Sequence, residues 1–409
     1  MSVPLPASNT PAGPARAWPN APAPAEQRLR ALVAWALATG RPLAVWSEPG
    51  ARHWQLLVSH SLDAAYVGLP PALESGAPAG FAFFPFRESD HNPALFLPAD
   101  LRYGSAEPDK VFVADPSLWT DFLSFTPADA PDWPASSQPL PPVATEAEYA
   151  ALVAAGVAAI RAGAVQKVVS SRAVRRALPP GFDPLTAAAR LRRQYPQAFV
   201  SLVSAPGVGT WLGATPEVLA EVGADGVFRT MALAGTQVLR PDHSPYAAVW
   251  GQKEIEEQAL VARYIVSCFK QLRLREYHET GPRTVVAGQL LHLRTDFDVD
   301  LRRVPFPRLG TDMLRLLHPT SAVGGMPKAA ALAWLAAHEG YDRAYYSGFL
   351  GPVNVEAPGV ARLFVNLRCL QVRGPEAVLY AGTGLTLDSD PAREWQETEL
   401  KMQTVAGAI

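Results

Sequence analysis

The chain has 409 residues, of which 48% are hydrophobic and 18% are charged, as is ordinary for a folded globular protein. A formal net charge of −2 argues against nucleic acid or an anionic membrane as the main partner, since either would favour a basic excess. The two cysteines, Cys268 and Cys369, are too few for a zinc ribbon or a disulfide framework, and their scarcity predicts a reducing, cytoplasmic location.

The first 25 residues differ in composition from the rest of the chain. They are rich in proline and alanine, and Arg16 is their one charged residue. Because they lack the basic start and apolar core of a secretory signal, we predict a disordered tail. No apolar run reaches the length of a transmembrane helix, so we predict no membrane-spanning segment.

Residues 26–143 predict a first folded segment. Leu29, Leu32, Val33 and Leu37 at helical spacing predict a helix over 26–39. Short β-like runs separated by Gly and Pro follow at 43–46, 54–58, 81–86 and 110–114. The Pro/Ser-rich stretch 127–142 predicts a surface linker.

Residues 144–406 predict a second segment that begins with a capping box of Thr145 and Glu148. The helix that this box begins is predicted to end at about 162. Further helices are predicted over 184–194 and 252–272, and two more are predicted to begin near 328 and at Asp390 and Pro391. Strands are predicted over 167–174, 199–204, 210–213, 218–222, 344–350, 360–372 and 377–382. Helices mixed with several consecutive strands indicate an α+β fold.

The helix predicted over 252–272 is apolar around most of its girth. At about 100° per residue, one polar side, predicted to face water, contains Lys253, Glu256, Arg263, Ser267 and Lys270. The apolar stripe predicted beside it contains Ile255, Ala259, Ala262, Val266 and Phe269. Glu254 and Glu257 lie well away from the polar side. Because an unpaired buried carboxylate is strongly disfavoured, we expect both to have partners.

The last predicted helix repeats this pattern of acidic residues. Glu394, Glu397 and Lys401 are spaced by three and four residues, which places them on one face. Two helices that each carry Glu-x-x-Glu can converge on a divalent cation, and oxygen ligands suit Mg²⁺ better than zinc. The alternative is two surface helices with solvated glutamates, and the pattern by itself leaves both interpretations open.

Nine segments, spread over roughly residues 144 to 405, form the most specific pattern in the sequence. They are Lys167-Val-Val-Ser-Ser-Arg172, Gly213-Ala-Thr-Pro-Glu217, Ala232-Leu-Ala-Gly-Thr236, Lys253-Glu-Ile-Glu-Glu257, Leu317-His-Pro-Thr-Ser-Ala-Val-Gly-Gly325, Asp342-Arg-Ala-Tyr-Tyr-Ser-Gly348, Asn366-Leu-Arg368, Tyr380-Ala-Gly-Thr-Gly384 and Glu394-Trp-Gln-Glu-Thr-Glu-Leu-Lys401. In this order they resemble the chorismate-binding enzymes, which include isochorismate, salicylate, anthranilate and aminodeoxychorismate synthases. The resemblance implies two large, mostly antiparallel sheets packed together with helices on the outside.

The resemblance also implies a metal and a substrate. Mg²⁺ would bridge the enzyme and the ring carboxylate of chorismate, with Glu257 and Glu397 as direct ligands and Glu254 and Glu394 acting through waters. Arg368 would bind the enolpyruvyl carboxylate, because a planar two-donor fork suits a carboxylate. The other implied substrate contacts are Ala234, Gly235, Thr236, His292, Ala322, Val323, Tyr346, Gly382 and Lys401.

Two residues carry the implied reaction. Lys167 stands where family members that attack with water have lysine and those that attack with ammonia have glutamine. As a general base it must be neutral, which burial or a cationic neighbour such as Arg172 would favour. Glu217, which precedes an apolar run, would be the acid that protonates the departing C4 hydroxyl. The alternatives are a solvated lysine at a strand edge and a solvated glutamate at a strand start.

Three small apolar residues narrow the choice within the family. Ala234 replaces the lysine of aminodeoxychorismate synthases, and Ala322-Val323 matches the pair typical of isochorismate synthases.

Gln258 departs from the family, which usually has histidine there. For His292 the alternative is a hydrogen-bonded core residue.

We therefore predict an isomerase, an isochorismate synthase, whose product would feed menaquinone, siderophore or salicylate synthesis. Water would add at C2 of chorismate while the C4 hydroxyl leaves. The alternatives are a salicylate synthase, an anthranilate synthase component I and a non-catalytic chorismate-binding protein. We expect a monomer that needs no amidotransferase subunit.

Overall fold

The computed structural model describes residues 13–18, 23–60, 71–126, 132–239 and 244–409. Within these ranges no helix is both long and apolar enough to cross a lipid bilayer. The elements before residue 143 are β1 (Ala15–Ala17), α1 (Ala25–Ala38), β2 (Leu43–Ser47), β3 (Gln55–Val58), β4 (Gly80–Phe84), β5 (Leu95–Pro98), β6 (Leu101–Gly104), β7 (Lys110–Val113) and α2 (Pro116–Ser124).

The remaining elements form the larger part of the molecule. In chain order they are α3 (Glu146–Arg161), β8 (Lys167–Ala177), α4 (Pro184–Gln194), β9 (Phe199–Ala205), β10 (Gly209–Thr215), β11 (Val218–Val222), β12 (Val227–Val238), α5 (Gln252–Gln271), β13 (His278–Ala287), β14 (Leu290–Asp300), α6 (Leu309–Leu317), β15 (Gly325–Met326), α7 (Lys328–His338), β16 (Phe349–Val353), β17 (Ala361–Val365), β18 (Cys369–Arg373), β19 (Glu376–Leu385) and α8 (Pro391–Ala406).

Two large antiparallel sheets contain all of the named strands. In the described residues the first sheet has 11 strands in the order β1-β7-β6-β3-β2-β9-β10-β18-β19-β8-β15. The second has 8 strands in the order β13-β14-β12-β11-β17-β16-β4-β5. Strands from before residue 143 enter both sheets, because β4 and β5 extend the second sheet while their neighbours in sequence join the first. The predicted α+β fold is thereby confirmed.

The sheets pack face to face, and the helices cover their outer faces. Strand β9 illustrates the alternation: Phe199 and Val203 face the second sheet, whereas Val200 and Leu202 belong to the apolar layer under α1 and α4. The Phe199 ring stacks on Phe364 of β17, with centroids 4.1 Å apart. This apolar contact fixes the spacing between the sheets.

The predicted capping box at α3 is present. Thr145 accepts a hydrogen bond from the Glu148 N–H at 3.2 Å, and the Thr145 N–H donates to the Glu148 carboxylate at 2.7 Å. These bonds satisfy backbone donors that the first helical turn leaves free.

Short folded structure extends into the segment predicted to be a tail. Strand β1 pairs with β7, and the Trp18 ring packs edge-on against Trp119 at 6.1 Å. The disorder prediction therefore fails for these residues, whose backbone bonds and aromatic contacts replace hydration. Residues 1–12 and 19–22 lie outside the described residues.

The strand predicted over 360–372 is in fact two strands in different sheets. Strand β17 belongs to the second sheet and β18 to the first, and residues 366–368 cross between them. Arg368 has a φ of 48°, a left-handed conformation that ends an extended run. Residues 344–348, predicted as the start of a strand, instead form turns with positive φ at Ala344 and Ser347.

Candidate active site

A cavity of about 540 Å³, including its open mouth, lies where strands β8, β12 and β19 meet helices α5 and α8. Its walls come from segments that are far apart in the chain. The lining residues are Val169, Pro216, Glu217, Leu233, Ala234, Gly235, Thr236, Glu257, His292, Ala322, Val323, Tyr346, Leu367, Arg368, Gly382, Gly384 and Lys401. All ten residues predicted to contact the substrate are among them.

Five lining residues are absent from the sequence-based prediction, although each lies inside one of the nine segments. They are Val169, Pro216, Leu233, Leu367 and Gly384. Gly384 is the most constrained of these, because an added Cβ would lie 2.2 Å from Glu257 Oε1 and 3.0 Å from Lys167 Cε. Their signal in the sequence is the spacing of small and apolar residues around the polar ones.

Lys167 is fully buried, so the interpretation as a solvated edge residue is wrong. Its strand lies between β19 and the short β15, and its Nζ is 3.1 Å from Glu257 Oε1. This distance is an ion-pair contact, although the angles do not meet hydrogen-bond geometry. Lys167 lies just behind the cavity wall, in contact with a lining carboxylate.

Arg172 is not the cationic neighbour that the sequence suggested for Lys167. Five residues apart on one strand, the two side chains point to opposite faces. The Arg172 guanidinium donates to Thr398 Oγ1 at 2.7 Å, pairs with Glu399 and stacks over Trp395 at 3.4 Å. Arg172 therefore attaches β8 to α8.

Glu217 is buried in the turn between β10 and β11, with 4% of its surface exposed. Burial raises the pKa of its carboxyl to about 7, although Lys167, Arg368 and Lys401 oppose this shift. A carboxyl with this pKa is about half protonated at neutral pH and largely protonated below it. Glu217 can therefore donate a proton to a group in the cavity.

Arg368 and His292 form one wall of the cavity. His292 Nδ1 lies 2.8 Å from the Gly235 carbonyl oxygen, and its Nε2 lies 3.4 Å from Arg368 Nη2. Burial, reinforced by the Arg368 charge, lowers the pKa of His292 to about 3, so the ring is neutral. The Nδ1–H then donates to Gly235, and the lone pair on Nε2 faces the guanidinium. His292 is thus hydrogen-bonded and also lines the cavity.

Tyr346 completes the polar wall beside Arg368. Its ring stacks on Tyr380 with centroids 5.4 Å apart, and its hydroxyl lies near Gly382. Burial raises the pKa of Tyr346 to about 12, so its hydroxyl remains a neutral donor. Arg368, Tyr346 and Lys401 together present donors to an anion.

The four predicted metal ligands lie on facing parts of α5 and α8, and three of them contact lysines. Besides the Lys167–Glu257 contact, Lys253 lies 2.5 Å from Glu394 and Lys401 lies 2.7 Å from Glu397. Glu394 is fully buried, which excludes a solvated face for that residue. The side chain of Glu254, the fourth, lies against Gly235.

The electrostatics of the two α8 glutamates differ. Burial and the nearby Glu397 charge raise the pKa of Glu394. Burial also acts on Glu397, but Lys401 and Lys253 outweigh it, so the pKa of Glu397 lies below its ordinary value. Glu397 is therefore an anion at neutral pH.

The environment of α5 shows that two predictions of the helical wheel, about its polar side and its apolar stripe, are wrong. Lys253, predicted to face water, forms the ion pair with Glu394. Ile255 and Ala259, predicted in an apolar stripe, are exposed, whereas Gln258 is buried and donates to Thr295 Oγ1 at 3.0 Å. The start of α5 contacts both α8, through the Lys253–Glu394 pair, and strand β12, through Glu254 and Gly235, so local periodicity could not locate its buried face.

The donor chemistry of this cluster suits a hard cation. All four candidate ligands are carboxylates, and Glu394 Oε2 is buried without a hydrogen-bond partner. In the described part of the chain, no three His, Cys, Asp or Glu side chains are close enough together to hold a metal ion, and three of the four carboxylates contact lysines. The residues fit Mg²⁺ by type, with Glu257 and Glu397 nearest the cavity.

Comparison with known proteins identifies the family. A family model described as chorismate binding enzyme matches residues 120–409. The chain belongs to the chorismate-binding enzyme family. The computed fold also resembles MenF, the menaquinone-specific isochorismate synthase from Escherichia coli, with a TM-score of 0.72 and 19% identity over 97% of this chain and 95% of that one.

Two curated relatives are isochorismate synthases by name. The salicylate biosynthesis isochorismate synthase of Pseudomonas aeruginosa is 32% identical over 270 residues, 64% of this chain and 54% of that protein. Isochorismate synthase EntC of Escherichia coli K12 is 28% identical over 259 residues, 62% of this chain and 65% of that protein. The matches therefore span between half and two thirds of the length of these relatives.

Proposed function

We propose that the protein is an isochorismate synthase, an isomerase that converts chorismate to isochorismate with Mg²⁺. The observation that carries this proposal is a buried lysine and a protonatable glutamate at one cavity that also contains anion-binding side chains. The names of the relatives support the same activity. Lys167 favours water over ammonia as the nucleophile, by the family pattern described above.

The substrate would be held by its two carboxylates. Arg368 and Tyr346 would donate to the enolpyruvyl carboxylate, and Arg368 offers the fork geometry that suits it. Glu257 and Glu397 would hold Mg²⁺ directly, and Glu254 and Glu394 through waters. The bound cation would neutralise the ring carboxylate and would compete with Lys167 for the charge of Glu257.

Lys167 and Glu217 would then carry the proton transfers. Lys167 Nζ would remove a proton from a water molecule as that water bonds to C2 of the ring. The C1=C2 bond moves to C1=C6, the C5=C6 bond moves to C4=C5, the C4–O bond breaks, and Glu217 protonates the departing hydroxyl to give water. One water enters and one leaves, so the product is an isomer of the substrate. General acid and base groups of this kind each increase the reaction rate about 10²–10⁴-fold.

Ala322 and Val323 form the apolar side of the cavity. Val323 is buried and Ala322 packs against the same core, so neither side chain offers a polar contact to the ring. These side chains would orient the ring without hydrogen-bonding it. We propose that the released product is isochorismate rather than salicylate.

Product analysis tests the proposal. The purified chain is incubated with chorismate and Mg²⁺, with and without ammonium, and products are resolved by chromatography and mass spectrometry. A product of the same mass as chorismate but with different retention supports it. Pyruvate released together with salicylate or anthranilate would overturn it and would identify the alternative synthases.

We also propose that the enzyme is a cytoplasmic monomer that works without an amidotransferase subunit. The support is that Lys167 occupies the position where ammonia-using members have glutamine. Light scattering on the active protein should give a mass near 43.9 kDa. A dimer mass, or activity only with glutamine and a second subunit, would contradict this.

A further inference from the structure

Arg343 is a fully buried arginine that does not line the cavity. Its side chain is 1% exposed and lies in the turn that follows α7. Burying a guanidinium is costly unless its donors are all used. The partners of Arg343 therefore indicate what the residue does.

Arg343 is bonded to the backbone of three cavity-lining residues. Nη1 donates to the Val323 carbonyl at 2.8 Å, and Nη2 donates to the Val169 carbonyl at 2.6 Å. The Arg343 carbonyl accepts from the Tyr346 N–H at 3.0 Å. These partners lie on β8, in the loop before β15 and in the turn before β16. The Arg343 side chain thus bonds to two neighbouring parts of the cavity wall, β8 and the loop before β15, which also bond to each other through the Val169 N–H and the Gly324 carbonyl at 3.0 Å.

Glu339 completes the arrangement. Its two carboxylate oxygens accept from Arg343 Nε at 2.6 Å and from Nη2 at 2.7 Å. Glu339 Oε1 also accepts from both the N–H and the Oγ–H of Ser171, each at 2.7 Å. Ser171 pairs with Gly382 of β19, another lining residue. The ion pair is therefore attached to β8 at two points.

Packing leaves the guanidinium no alternative position. It lies 4.4 Å from the centroid of the Phe86 ring and 6.0 Å from that of Tyr346. Buried ion pairs contribute little net stability compared with apolar residues of the same volume. Stability alone therefore does not account for an arginine here, whereas fixed carbonyl positions on one strand and one loop of a reaction cavity do.

We propose that Arg343 is a positioning residue, which fixes the orientation of the Ala322-Val323 loop against the Lys167 strand so that the ring lies against base and acid. This inference rests on the proposed function. None of the groups predicted to bind the substrate carboxylates or Mg²⁺ is bonded to the Arg343 side chain. Its loss should therefore lower kcat while KM for chorismate changes little.

The test compares Arg343→Lys with Arg28→Lys, using folded protein of each. Arg28 is a matched control, because it is also buried, pairs with Asp109 at 2.6 Å and donates to a backbone carbonyl, far from the cavity. We expect Arg343→Lys to lower kcat for chorismate consumption roughly 10- to 100-fold with KM within about threefold. Arg28→Lys should keep the wild-type kcat even where its melting temperature falls as much.

A second variant guards against misfolding. Glu339→Gln weakens the fork but leaves the Arg343 carbonyl contacts possible, so we expect a smaller loss of kcat, again at nearly constant KM. If Arg343→Lys does not fold, the kcat and KM of Glu339→Gln become the test of the proposal. A normal kcat in the deciding variant, a loss confined to KM, or a loss equal to that of Arg28→Lys would overturn the proposal. Chorismate consumption is scored separately from product identity, so a wild-type product other than isochorismate would refute the proposed function alone.

Discussion

At the residue scale, the fold buries both the proposed base, Lys167, and the proposed acid, Glu217, but surrounds them differently. Lys167 has a carboxylate 3.1 Å away, whereas Glu217 has no anionic neighbour among the charges that act on it. Burial dominates at Glu217 and favours its neutral form. The pair therefore suits opposite directions of proton transfer.

Replacing Lys167 tests the base. Lys167→Ala should bind chorismate with a Kd close to that of the wild type but should lower kcat roughly 10²–10⁴-fold, because only proton removal is lost. Lys110→Ala is the matched control, since Lys110 also opens a strand and pairs with a glutamate at 2.7 Å but is exposed. Near-normal turnover in Lys167→Ala would remove it as the base.

The raised pKa of Glu217 predicts that the unfolding free energy depends on pH. Its carboxyl, with a pKa of about 7 in the folded chain and 4.5 as the ordinary value, retains a proton that the unfolded chain releases between those pH values. The unfolding free energy should therefore fall across that window as pH rises. Glu217→Gln cannot ionise, so its stability relative to the wild type should increase from pH 5 to pH 8, by up to roughly 3 kcal/mol.

Thermal melts of the two proteins at both pH values measure this effect. Glu279→Gln, at an exposed position on β13, provides the control and should leave the pH dependence unchanged. A constant difference between Glu217→Gln and wild type from pH 5 to pH 8 would contradict the assignment.

Residue identities in the site were predictable, but their ionic partners were not. Short motifs fix which residues lie together on one strand or turn, so Arg368, Glu217 and Ala322 could be selected locally. The Lys253–Glu394 pair joins positions 141 residues apart, and no local pattern contains that contact. The helical wheel therefore predicted that the Lys253 side chain faces water.

At the element scale, the crossing segment 366–368 determines the position of Arg368. Asn366 holds this crossing, because its side chain donates to the Tyr345 carbonyl at 2.9 Å and its carbonyl accepts from the Ser347 N–H at 3.0 Å. Hydropathy over 360–372 is continuous, so the sequence predicted a single strand. The switch between sheets depends on tertiary bonds that the hydropathy pattern does not encode.

Asn366→Ala tests this arrangement. We expect a loss of about 1 kcal/mol in unfolding free energy, from the lost hydrogen bond to the Tyr345 carbonyl, together with a raised KM for chorismate as Tyr346 and Arg368 shift. Asn354→Ala is the control, because the Asn354 side chain also donates to backbone carbonyls, at Glu74 and Ala77.

Denaturant unfolding and steady-state kinetics separate the two variants. Asn354→Ala should lose similar stability while KM stays at the wild-type value. Equal KM values in both variants would mean that the crossing does not position the anion-binding side chains.

At the scale of the whole molecule, two sheets share strands from both ends of the chain. The α+β class and most helices were predictable from periodicity and caps, as at α3 and α4. The strand order was not, because β4 and β5 cross to the second sheet while β2 and β3 stay in the first. Such pairings are non-local, and strand sequences carry little information about their neighbours.

The proposed Mg²⁺ would join α5 and α8, the two helices that the Lys253–Glu394 pair connects across 141 positions. Glu257→Gln and Glu397→Gln should each weaken Mg²⁺ binding roughly tenfold or more, since each removes one charged oxygen ligand. Calorimetric titration of Mg²⁺ in the presence of chorismate measures this directly, with Glu279→Gln as the control. Unchanged affinity in both variants would contradict the proposed ligands.

The central claim is that solvent water adds at C2 as the C4 hydroxyl leaves. Conversion of chorismate in water enriched in ¹⁸O, followed by mass spectrometry of the product, tests it most directly. The proposed mechanism predicts isochorismate that carries one ¹⁸O atom, located in the C2 hydroxyl. Isochorismate without the label would mean transfer of the substrate's own hydroxyl and would contradict the roles of Lys167 and Glu217.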